Sequence, residues 1–177
     1  MPSLLGGWKL NERVTRIAFR WRLKGEMTDN EDTYRKHSGE LVQFATGLVG
    51  PSDAQDVVTD ACLRAFQSRH WAGVANRRAY LYRSVLNQAR THHRSTVRRR
   101  IREQAGAVPL SQDPSPIDLD VLRAVDKLSM QQRASVFLSY WEDLTPAQVA
   151  ARLDISEGSV KKHLARARAR LKELLDD

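Results

Sequence analysis

A single cysteine, Cys62, stands in 177 residues, so no disulfide can form within the chain. That scarcity fits a reducing compartment, and a cytoplasmic protein is expected. No apolar run approaches the roughly 20 residues that a bilayer-spanning helix needs. The opening residues also lack the unbroken apolar stretch of a secretory signal. Glycine-rich phosphate loops and the strand–turn–helix setting of a nucleophile elbow are missing. His92 and His93 are neighbours and point to different sides of a helix, and no CxxC or HxxxH spacing links them with Cys62. The chain is therefore read as a non-enzyme that needs no metal and no cofactor.

What is present is a globular composition, 41% apolar, with a net charge of +8 and a sequence pI near 10.1. The charge is segregated. Residues 1–28 carry a net +4, 29–71 a net −3, and 117–177 balance to zero. Residues 72–104 set nine arginines against one acidic residue, Glu103, so a fifth of the chain holds a charge equal to the whole excess. A cationic field concentrated on one element marks a surface for a polyanion.

The reading along the chain is all-α: two small helical domains joined by a flexible linker, the second a helix-turn-helix. Residues 1–31 form a basic extension. Within residues 1–27, Val14, Ile17, Phe19, Trp21 and Leu23 are interleaved with Arg13, Arg16, Arg20, Arg22 and Lys24. Neither helical nor strand periodicity fits, and a basic arm, a surface-seeking helix or a leader before Met27 all remain open. From Asp32 a helix places Tyr34, Leu41, Val42, Ala45, Leu48 and Val49 on one face. Gly50-Pro51 breaks it, and Ser52 with Gln55 reads as a capping box for the next helix. That helix buries Val58, Ala61, Cys62, Ala65 and Phe66, and turns Asp53, Asp56 and Asp60 outward. Residues 70–78 read as a loop. A long helix from about Ala79 to Glu103 starts with the apolar stripe Leu81, Tyr82, Val85, Leu86 and Ala89. It then gives way to Arg90, Arg94, Arg98, Arg99, Arg100 and Arg102. A helix end that drops its core face while adding like charge calls for an anionic partner.

Residues 104–116 contain Gly106, Pro109, Pro114 and Pro116 and read as the linker. Beyond it, Val121, Leu122, Val125 and Leu128 form one amphipathic set, and Val136, Phe137, Tyr140 and Trp141 a second. Thr145-Pro146 with Gln148 predicts a capped helix that stops at Asp154 in a left-handed conformation. Ser156 caps a longer helix with Glu157 in its first turn and Val160, Leu164, Ala167, Leu171 and Leu174 along its inner side. A short helix, a tight turn and a longer basic helix make the motif whose second helix enters a major groove.

Three segments carry a family resemblance. Asp53–Ala65 (DAQDVVTDACLRA) is similar to the signature DAEDLVQEAFLRA. Ala79–Asn87 (AYLYRSVLN) is similar to AWLYRIARN, and Ile155–Arg168 (ISEGSVKKHLARAR) to ISVGTVKSRLARAR. Together, in this order, they resemble the extracytoplasmic-function branch of the sigma-70 family over about residues 32–177. The resemblance implies a factor that binds core RNA polymerase and directs it to promoters through −10 and −35 elements. Residues 32–103 would be the domain for core and −10 binding, and 117–177 the domain for −35 binding. Asp53, Asp56 and Asp60 would dock on the β′ clamp helices. Asn76, Arg77, Arg78, Tyr80, Asn87, Arg90, Arg94 and Arg98 would face the opened −10 strand. Glu157, Ser159, Lys161, Lys162, His163 and Arg166 would lie at the −35 groove. The β flap and an anti-sigma factor are the other implied partners. Tyr80 stands where the family has Trp, Asp154 where it has Gly, and Lys162-His163 where it has Ser-Arg, so the family's −35 sequence does not transfer.

Two rival readings exist. A self-sufficient helix-turn-helix regulator accounts for the C-terminal half but leaves the acidic helix beside an arginine-rich one without a purpose. An RNA-binding protein would use the arginine run alone. A regulator shifts operator DNA unaided, whereas a sigma factor starts transcripts only with core polymerase.

Overall fold

The computed structural model describes residues 27–103 and 119–176. The expectations for the basic extension before Met27 and for the 104–116 linker lie outside the described residues. All regular elements among those described are helical: α1 (Met27–Val49), α2 (Pro51–Phe66), α3 (Arg77–Glu103), α4 (Leu119–Asp126), α5 (Met130–Val136), α6 (Pro146–Leu153) and α7 (Glu157–Leu175). A 3₁₀ turn, Trp71–Gly73, precedes α3, and one π-helical turn, Phe137–Trp141, follows α5. The chain divides into two units at Ser38/Gly39, within α1. In the smaller one, Arg35 pairs with Glu31 and Asp32 on the helix surface. The larger, Gly39–Asp177, contains both helical halves expected from the sequence.

The first half has its core where the stripes of α1, α2 and α3 meet. Leu41, Phe44, Ala45 and Leu48 lie against Val57, Val58, Ala61 and Cys62, and α3 supplies Leu81, Tyr82, Val85 and Ala89, all at most 2% exposed. The Phe44 and Tyr82 rings sit 4.9 Å apart. Burial pushes the Cys62 thiol up to about 12, which keeps it protonated and inert.

Several local starts differ from the sequence reading. α1 begins at Met27 rather than Asp32. α2 begins at Pro51, with Gly50 as N-cap at φ 86 and no side-chain cap, so the Ser52–Gln55 box does not form. Proline at the first helical position fixes the start two residues earlier, and only glycine takes that preceding conformation without cost. α3 begins at Arg77, not Ala79. Trp71, placed in a loop by its Gly and Asn neighbours, is buried, its ring 4.9 Å from Phe66.

The second half is set by its caps. Ser129 and Gln132 form a full capping box for α5, as Thr145 and Gln148 do for α6. Asp154 is left-handed at φ 54, and Ser156 accepts from the Ser159 amide to start α7. Val149, Leu153, Val160, Leu164 and Ala167 close the helix-turn-helix core. Leu171 and Leu174 are only half-buried. Tyr140 and Trp141 correct the sequence reading most. They are 63% and 74% exposed, because the π turn rotates the register so that Leu138 fills the core. Removing the Thr145 hydroxyl, which accepts from the Gln148 amide at 3.3 Å, is expected to destabilise the unit by about 1 kcal/mol. Thermal unfolding of Thr145→Ala should show the midpoint falling by about 3–5 °C; an unchanged midpoint would mean the cap contributes nothing.

Candidate nucleic-acid interface

Spacing alone puts Asp53, Asp56 and Asp60 on one side of α2, and the structure shows three different settings. Asp56 is exposed. Asp53 is half-exposed, with its carboxylate 3.7 Å from His92 Nε2. Asp60 is half-buried and accepts from Gln88 Nε2 at 3.3 Å. None is buried, so the acidic face remains available to a partner.

On α3, Asn87, Arg90, Arg94 and Arg98 follow one another at steps of three and four, which aligns them in a stripe. Asn87, Arg94 and Arg98 are exposed and Arg90 half-buried. The side chains of Arg100 and Arg102 lie outside the described set. Beside the stripe, a cleft of about 190 Å³ between α2 and α3 is lined by Arg64, Tyr80, Ser84, Asn87, Gln88 and Thr91. It brings Tyr80 and Asn87 to one place, together with Arg64 and Gln88, which sequence reasoning did not single out. The Tyr80 ring meets Trp71 edge-on at 5.7 Å, so packing and exposure share this side chain.

The three residues at the start of α3 are held within the fold. Asn76 Oδ1 accepts from the Ala79 amide at 3.0 Å and so caps the helix. The Arg77 guanidinium lies 5.2 Å over the Trp71 ring. Arg78 forks onto the Glu40 carboxylate, its Nε 3.0 Å from Oε1, and this contact holds its pKa above the ordinary arginine value. Tyr82, expected in the core, is completely buried. Burial first, then the nearby Glu40 charge, pushes its phenol up to about 12.

On α7, Glu157, Lys161, Lys162 and Arg166 are exposed, while Ser159 and His163 are half-buried. Lys161 pairs with Glu157 at 2.7 Å, and Ser159 shares a 2.8 Å hydroxyl contact with Ser156. Burial, and then the Arg166 charge, hold the His163 imidazole below its usual value. It is neutral at pH 7 and offers hydrogen bonds rather than charge.

Comparison with known proteins identifies the family. The family model for sigma-70 region 2 matches residues 33–99, and that for sigma-70 region 4 matches residues 118–171. The RNA polymerase sigma-E factor of Streptomyces antibioticus is 33% identical, the match covering 86% of this chain and 88% of the relative. The ECF RNA polymerase sigma factor SigL of Mycobacterium tuberculosis is 33% identical over 74% of this chain and 80% of its own length. Among solved structures, the fold is similar to that of the sigma factor RpoE bound to the anti-sigma factor NepR from Bartonella quintana. There the TM-score is 0.58 at 24% identity, covering 84% of this chain and 97% of that one. It is also similar to CnrH in complex with the cytosolic domain of CnrY, at TM-score 0.56 and 24% identity over 92% and 97%.

Proposed function

This chain belongs to the sigma-70 family, in its extracytoplasmic-function branch, and from that premise we propose how its helices divide the work of promoter-specific transcription initiation. The observation that carries the proposal is the pairing of opposite charges on neighbouring helices, an acidic face on α2 beside an arginine stripe on α3. Asp53, Asp56 and Asp60 offer the polymerase a carboxylate face, with Asp56 the most accessible, and the β′ clamp helices are its target. Asn87, Arg90, Arg94 and Arg98 follow the phosphates of the opened −10 strand. The adjoining cleft, with Tyr80 at its edge, receives bases, because melted bases need flat surfaces and pockets while their phosphates need cations. Residues 32–103 thus serve core and −10 binding, and residues 117–177 the −35 element.

α7 lies in the major groove with Lys161, Lys162 and Arg166 toward the duplex, Glu157 and Ser159 at its start and His163 beside them. No helix of the described residues is long and apolar enough to cross a membrane. An anti-sigma factor and the polymerase β flap complete the expected partners. Chemistry belongs to the polymerase, and the chain contributes recognition.

The direct test is run-off transcription with purified core polymerase, this chain and a genomic template library. Transcripts from a discrete promoter set only when both proteins are present support the reading. Tight, specific DNA binding without core, and no transcripts with it, would favour a self-sufficient regulator. For the −35 helix, replacing Lys161 and Arg166 together with alanine removes two phosphate contacts. Duplex affinity is expected to fall about tenfold, and its logarithmic salt slope to flatten by about 2. Titration at several salt concentrations measures both, and an unchanged slope would remove these side chains from the interface.

A further inference from the structure

We propose that Ser95, set among the arginines of α3, is a phosphorylation site, and that a phosphate there stops the chain at capture of the −10 strand while leaving polymerase binding intact. The inference rests on the functional reading above. Ser95 is exposed and directly follows Arg94, with Arg98 and Arg99 three and four positions further on. Those are the spacings at which side chains meet on a helix surface. The other two hydroxyls of residues 90–102 are placed less well. Thr91 has only Arg94 at those spacings, and Thr96 is half-buried. The Ser95 hydroxyl donates to the His92 carbonyl at 2.8 Å, which leaves the oxygen's lone pairs for a reacting phosphorus.

The surroundings suit a modifying enzyme. Among the described side chains of α3, none after Ala89 is buried, and every one from Thr91 to Arg99 is exposed or half-buried. A helix end with so little packed beneath it opens locally at small cost, which lets a kinase take the segment in extended form. Guanidinium groups on both sides of the hydroxyl, Arg90 and Arg94 before it and Arg98 and Arg99 after it, fit a kinase with an acidic substrate groove. The reaction is phosphoryl transfer from ATP. Ser95 Oγ forms a bond to the γ-phosphorus while the bond from that phosphorus to the β–γ bridging oxygen breaks. ADP leaves, and the hydroxyl proton passes to the kinase's base.

The consequence follows from charge. A phosphoserine carries about −1.5 to −2 at pH 7 and three strong acceptor oxygens. Residues 72–104 then fall from a net +8 to about +6. Held covalently on the helix, the phosphate pairs with Arg98 and Arg99 and adjoins Arg94, so it engages two members of the stripe that follows the −10 strand. The strand's own phosphates must displace it, and they meet an added dianion of their own sign. Asp53, Asp56 and Asp60 sit on α2 and keep their charge. The modified chain therefore holds polymerase without opening promoters.

Two experiments on the full chain test this. In the first, the chain is incubated with ATP in an extract of the cells that make it, and mass spectrometry locates the phosphate. Phosphate on Ser95, with none gained by Ser95→Ala, is expected. A chain left unmodified, or modified only at other positions, would overturn the site. In the second, phosphoserine is encoded at position 95 and the protein is combined with core polymerase and promoter. Core capture should match that of the unmodified chain. Open-complex formation should fall about 30-fold or more, and its logarithmic salt slope should flatten by about 1.4, from two strand contacts at about 0.7 each. Ser95→Ala should open promoters as the native chain does. Equal opening by the phosphorylated chain, or core capture lost in step with opening, would overturn the proposed block. Labelling is read by mass and needs no transcription, so its failure and a failed run-off assay are read separately.

Discussion

Replacing Asp56 and Asp60 together with arginine is expected to reduce capture of core polymerase by at least about 100-fold while the helical fold persists. Two carboxylates become two cations on a face meant for a cationic or polar partner, and like charges brought together across an interface cost several kcal/mol. A loss of roughly 2.8 kcal/mol already amounts to 100-fold. The folded chain tolerates the change unequally. Asp56 is exposed, whereas Asp60 accepts from Gln88, a hydrogen bond worth about 1 kcal/mol. Asp56→Arg alone should therefore leave the thermal midpoint unchanged and still weaken capture about tenfold. Pull-down with purified core, with circular dichroism as the control for folding, reads both effects. Undiminished capture by the folded double variant would take the acidic face out of the interface.

The second large effect concerns the arginine stripe. Arg90→Ala, Arg94→Ala and Arg98→Ala combined should lower open-complex formation by about 100-fold or more while leaving core capture intact. Each arginine that follows a single-stranded phosphate contributes about 0.7 to the logarithmic salt slope, so the triple variant should flatten that slope by about 2. Permanganate footprinting of the melted region across a salt series checks both numbers. A uniform loss of activity with the slope unchanged would mean that the arginines act through the fold rather than through the strand.

The two variants separate the two faces. One should fail before DNA is engaged and the other only when the strands open. That ordering distinguishes a divided charge pattern from a general dependence on net charge, since the first variant makes the protein more basic and the second less so.

What could be read from the sequence was the chemistry that acts within a few residues. The Thr145–Gln148 box, the left-handed Asp154 and the Ser156 cap are each fixed by atoms three or four positions apart, and all three form as expected. The acidic and basic faces were equally legible, since helical spacing decides which side chains share a side. The Ser52 box failed because Pro51 starts the helix two residues earlier, and Ser129–Gln132, with the same signature, went unnoticed beside its apolar neighbours. Tyr140 and Trp141 were misplaced because a π turn breaks the 3.6-residue period on which the reading relied.

The contacts between the halves were not legible at all. Arg152 reaches Tyr82 across 70 positions, and Arg133 reaches Leu48 across 85. Local propensity says nothing about such pairs. Two residues could have raised the question, a glycine at position 47 inside a strong helical pattern and an arginine at position 133 three residues from Met130 and from Val136 on a short helix. Each breaks a local rule, and each does so at the junction of the two halves.

The claim on which the account turns is that neighbouring helices face different partners, a protein for α2 and an opened DNA strand for α3. Photocrosslinking from single positions in a stalled open complex measures this directly. A crosslinker at position 56 should mark the polymerase β′ subunit, and one at position 94 the non-template strand. Both positions marking the same partner, or the two partners exchanged, would contradict it.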